Sequence, residues 1–134
     1  MTLGSWDPET QQAKSSVTPD AATLQRYIRL SRSGKLDALG IELDDREKQV
    51  NAGLMHVDRE QWFAEAETLS DDEIEQLMRF FTKAEQLPGW EAGAASPVIW
   101  LGKVLKQRGT GISRELQMWI REHSDNRYLP HGPL

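Results

Sequence analysis

The stretch SDDEIEQLMRFFTKAEQLPG, residues 70–89, leaves its backbone few choices. Ser70 and Glu73 form a capping box: the hydroxyl accepts from an amide of the first turn, and the carboxylate reaches back to the amide of the serine itself. Ile74, Leu77, Met78, Phe81 and Ala84 follow at spacings of three and four, and Pro88-Gly89 forbids continuation. The spacing predicts an amphipathic helix from Ser70 to just before Pro88, with one wide face seeking a core.

Similar signals recur along the chain. Thr18-Pro19-Asp20 predicts a helix running to about Ser33, with Thr18 as cap and Pro19 at the first helical position, Leu24, Tyr27 and Ile28 on one side, and Gly34 as a left-handed stop. Residues 35–39 read as a short turn and residues 44–55 as a second helix with Val50 and Leu54 inward. Asp58 heads a third helix over 59–68, where Trp62 and Ala66 lie one turn apart with Phe63 beside them. Ser96-Pro97 opens a helix over 97–108. It is apolar almost all round, and the cost of Gly102 in its interior predicts that another backbone passes close. After the turn Gly109-Thr110-Gly111, a last helix turns Ile112, Leu116, Trp119, Ile120 and His123 inward and Arg114, Gln117 and Arg121 outward.

No stretch alternates as a strand does, and none repeats at solenoid periods. The expectation is an all-α fold, a compact bundle of five or six short helices. It is one domain over 18–125, with a flexible N-terminal tail at 1–17 and an extended C-terminal tail at 126–134. A chain of 134 residues with 38% hydrophobic side chains can bury such a core without staples.

The absence of cysteine removes disulfides, thiolate metal sites and cysteine nucleophiles, and favours a reducing, cytoplasmic setting. The first sixteen residues show neither the basic nor the apolar region of a secretory leader, and no apolar run reaches membrane-spanning length, so a chain without leader or membrane span is expected. Charge is unevenly placed. Residues 58–91 carry ten acidic and three basic side chains, whereas residues 92–134 carry six basic and three acidic, within a chain of net charge −5.

The acidic run Asp71, Asp72, Glu73, Glu75 is explained by the helix dipole, and Ile74 stands where a calcium loop needs glycine. His56, His123 and His131 are isolated, and no P-loop, nucleophile elbow or dinucleotide fingerprint occurs. The expectation is therefore no catalysis, no metal and no cofactor.

Two surfaces remain. The first is a helix-turn-helix-like hairpin over 97–123, whose Lys103, Lys106, Arg108, Arg114, Gln117 and Arg121 suit either a protein partner or, as the alternative, nucleic-acid phosphates and base edges. The second is a set of partner anchors, Trp90 in a loop and Tyr128 and Leu129 in the tail, which can equally fold back onto the domain's own core. A third reading places a small-ligand pocket among Trp62, Phe81 and Trp100, closed by Tyr128. The leading expectation is a small cytoplasmic protein-interaction or regulatory domain whose partner is another protein, without membrane contact.

Overall fold

Ile74, Leu77, Met78, Phe81 and Ala84, the stripe that the capping box introduces, are all fully buried in a computed structural model of the chain, which describes residues 17–130. Seven α-helices occur among these residues: α1 (Ala21–Arg32), α2 (Leu39–Glu42), α3 (Asp45–Asn51), α4 (Arg59–Ala66), α5 (Asp71–Ala84), α6 (Pro97–Gln107) and α7 (Arg114–His123). Short 3-10 turns at Leu36–Ala38, Ala52–His56 and Gly93–Ala95 join them, and no strand is present among the described residues. The all-α bundle is as expected. The readings placed on residues 1–16 and 131–134, His131 among them, lie outside the described residues.

Helix α5 is the axis of the fold. Ser70 Oγ accepts from the Glu73 amide at 3.1 Å and Glu73 Oε1 accepts from the Ser70 amide at 2.9 Å, so both halves of the box are formed. Helices α1, α6 and α7 each pack on α5, and α4 packs on α6. Tyr27 of α1 stacks on Phe80 with ring centroids 3.9 Å apart, and Trp62 of α4 meets Phe81 edge-on at 5.4 Å. Aromatic pairs of this kind add about 0.5–1.5 kcal/mol beyond the area they bury. The Tyr27 hydroxyl accepts from Asn51 Nδ2 at 2.8 Å and donates to Glu47, which also binds Arg26. Burial pushes the phenol's pKa well above its usual value.

Where structure and pattern differ, the causes are local. The cap of α1 is Asp20 rather than Thr18: its carboxylate accepts from the Thr23 amide at 2.9 Å, leaving the buried Pro19 just outside the helix. The far end is as expected. Gly34 (φ 73°) lets its own amide reach Ser31 O while the Lys35 amide reaches Leu30 O, satisfying two orphan carbonyls.

The helix expected over 44–55 divides. It begins at the Asp44 cap but tightens into a 3-10 turn at Ala52, which shifts the facing residues. Leu54 is buried, whereas Val50 is 46% exposed and does not point inward. Asp58 occupies the cap position of α4 without a side-chain bond to the helix. A β-carbon on Gly102 would lie 2.9 Å from Ile112 Cδ1 and 3.5 Å from both Met78 Cε and Pro130 Cγ, so what crowds this glycine is side chains from the turn, from α5 and from the tail, not a backbone.

Candidate functional site

Helices α6 and α7 both rest on α5 and touch each other little, so the expected hairpin is splayed rather than closed. The turn between them and the returning chain at 126–130 shape the gap into a groove of about 460 Å³. Its floor is apolar: Ile99, Ile112 and Pro130, with Gly102 supplying room where any side chain would intrude. Lys103 and Lys106 stand one turn apart along the α6 rim, and Gln117 of α7 and Tyr128 of the tail complete the lining.

Four of the residues singled out in the sequence thus come together: Lys103, Lys106, Gln117 and Tyr128. Their charge is uncompensated. Lys35, Lys48 and Lys83 are each within 3.9 Å of a carboxylate, on Glu42, Asp45 and Asp37 respectively, but no ion pair involves Lys103 or Lys106 among the described residues. A third cation borders the site, since Arg127 lies 5.3 Å from the centre of the Tyr128 ring. Tyr128 itself is 52% exposed, an aromatic surface held at the mouth.

The other singled-out residues lie elsewhere. Arg108 turns away from the groove, donating from Nη1 to Asp71 and from Nη2 to the last carbonyl of α4, Ala66 O, both at 2.8 Å. Arg114 and Arg121 are exposed on α7 but do not line the groove. Trp90 is fully buried and donates from Nε1 to Lys48 O at 2.9 Å, and Leu129 is 3% exposed. Both are committed to this domain's own core, so the anchor reading gives way for them and survives only for Tyr128. Trp62 and Phe81, expected to line a pocket with Trp100, are themselves fully buried. Trp62 and Phe81 fill the space between them by edge-on packing, and Tyr128 stands at a different site.

The tail reaches the groove because Glu85 clasps it. Glu85 Oε1 accepts from Asn126 Nδ2 at 2.9 Å and Oε2 from Ser96 Oγ at 2.6 Å, while Asn126 Nδ2 also donates to Gly93 O. A turn follows, closed by the Leu129 amide on Asn126 O, so the tail starts folded against the body before it reaches Pro130. Burial raises the Glu85 pKa despite these donors.

Sequence reasoning missed Ile99, Ile112, Pro130 and Arg127. A signal was present for Ile99, because a helix apolar almost all round has more apolar side chains than one buried stripe can use. Elsewhere, Arg79 lies over the Trp119 ring, and His123 stacks against the same indole with ring centroids 4.4 Å apart. No three His, Asp or Glu side chains are placed to hold a metal among the described residues, and no helix there is long and apolar enough to cross a membrane.

The chain matches no known protein family, no curated protein and no solved structure.

Proposed function

We propose that this protein is a non-catalytic protein-interaction module of the cytoplasm, and that the α6–α7 groove takes a short extended segment of a partner protein, one with apolar side chains flanked by carboxylates. The observation that carries this reading is the pairing of an apolar floor with two lysines that have no carboxylate partner among the described residues. Apolar pockets give a peptide its affinity, and rim charges of the opposite sign give its orientation and rate of encounter. The groove's volume suits a few side chains, and an exposed tyrosine at its edge is a common interface anchor.

The same lysines also suit phosphates. Favouring a protein partner are the apolar floor and the turning of Arg108 into an internal ion pair, which shortens the basic face that a duplex would need.

A phage-displayed library of random dodecapeptides, selected on the intact chain, tests the reading. Enrichment of sequences with carboxylates beside an aromatic or aliphatic residue is expected, with binding lost in Lys103→Glu/Lys106→Glu. Enriched sequences that bind the double variant equally well would overturn it. So would tight, steeply salt-dependent binding of a fluorescein-labelled DNA duplex through these two lysines with no peptide enrichment.

A further inference from the structure

We infer that the groove's resident occupant is the chain's own N-terminal segment, with Trp6 seated on the apolar floor and Asp7 and Glu9 against Lys103 and Lys106, so that an outside partner binds by displacing it. This rests on the reading of the groove given above.

Three observations carry it. The first is chemical. Trp6-Asp7-Pro8-Glu9 combines an aromatic side chain with two carboxylates and a proline that stiffens the chain, in the combination that the groove's floor and rim call for. Proline limits the conformational entropy lost when such a segment is ordered. The second is the charge balance. The lysines of the described body other than these two have carboxylates nearby, and two carboxylates on one short segment match two lysines one turn apart.

The third is reach. Val17 is packed against the core, which fixes the point from which the segment departs. From there to Trp6 the chain can span at most about 40 Å. That is comparable with the diameter of about 36 Å of a compact body whose radius of gyration is about 14 Å, so much of the surface lies within the segment's span. Tethering of this kind supplies an effective concentration on the order of millimolar, so a contact too weak to hold two separate molecules together is well populated within one.

The absence of cysteine makes the test direct, because Ser5→Cys creates a single attachment point for a nitroxide in the intact chain. Amide signals of the uniformly 15N-labelled protein are then compared with the nitroxide oxidised and reduced. Selective loss of intensity at Gly102, Lys103 and Gly111 is expected, with recovery when Lys103→Glu/Lys106→Glu is added. Even losses over the whole surface, or losses indifferent to the charge reversal, would overturn the inference. Broadening that persists when nitroxide-labelled unlabelled-nitrogen chains are mixed with label-free 15N chains would overturn it in favour of a second copy.

The peptides selected in the library experiment separate this inference from the reading beneath it. They are expected to bind the Asp7→Lys/Glu9→Lys chain about tenfold more tightly than the native chain. Equal affinity for both chains, with binding still dependent on Lys103 and Lys106, would sink the resident occupant and leave the groove standing. No binding to either chain would sink both.

Discussion

Gly102 and Ile112 meet across the floor of the groove so closely that a single added methyl on the glycine would lie 2.9 Å from the isoleucine's terminal carbon. The atom it meets is the far end of a flexible side chain, and glycine costs a helix interior about 1 kcal/mol relative to alanine. Gly102→Ala is therefore expected to change stability by less than about 1 kcal/mol, as the propensity gain offsets the crowding. Affinity for a groove-bound peptide should nevertheless fall several-fold, because the displaced Ile112 is part of the binding floor. Urea unfolding and peptide titration on one preparation check both halves; unchanged affinity would mean that the floor is not a contact surface.

Trp62 and Trp90 offer a matched pair. Both are buried, but Trp90 Nε1 donates to Lys48 O, whereas Trp62 Nε1 finds no acceptor among the described residues. Replacing Trp90 with phenylalanine removes a hydrogen bond and strands a carbonyl; the same change at Trp62 relieves an unsatisfied donor. Trp90→Phe is expected to cost about 1–2 kcal/mol more than Trp62→Phe in denaturant unfolding. Equal losses would show that the Trp62 indole has a partner.

Glu85 makes the fold sensitive to pH in a definite sense. Burial holds its pKa above the ordinary value of 4.5, so the folded state takes up its proton more readily than the unfolded chain does. The stability it contributes is fully present below the unfolded value and is lost as pH rises through the folded one. Glu85→Gln should therefore gain ground on the native chain as pH rises from about 4.5 through the raised folded-state value. Asp72 and Glu73 act oppositely, their pKa values lowered mainly by Arg32 and by the Ser70 amide respectively, but they are common to both proteins and cancel in the difference. A difference that stays constant with pH would contradict the assignment.

Arg108 and Lys106 should separate stability from binding. Arg108 ties the end of α6 to Asp71 and to the last carbonyl of α4, partly shielded from solvent, and its loss is expected to cost about 1 kcal/mol while leaving peptide affinity unchanged. Lys106→Ala should do the reverse. If Arg108→Ala instead weakened the peptide as much as Lys106→Ala does, the basic face would be continuous and the division proposed between the two would fail.

The parts of the fold that sequence made legible are those whose physics is local. The Ser70–Glu73 box, the stripe it opens and the Ser96-Pro97 start are complete within a few residues, and they appear as expected. Residues 35–57 resisted because α-helical and 3-10 geometry compete there over short spans, and the choice between them decided where Val50 faces. Trp90 and Arg108 misled for a different reason: their partners, Lys48 O and Asp71, are remote in sequence, and no spacing rule reports such a contact. The groove was half visible. Its lysines lie on one helical face, but Pro130 and Tyr128, which close it, arrive only because Glu85 holds Asn126.

The stacking of Tyr27 on Phe80 has a consequence for how this chain finds its shape. The two rings belong to helices that are not neighbours in sequence, with α2, α3 and α4 between them, so α5 cannot complete its burial by zipping up against the helix next to it. A large loop must close first, at an entropic cost that later contacts repay. Folding should accordingly run slower than in helical proteins of similar length whose helices pair in order.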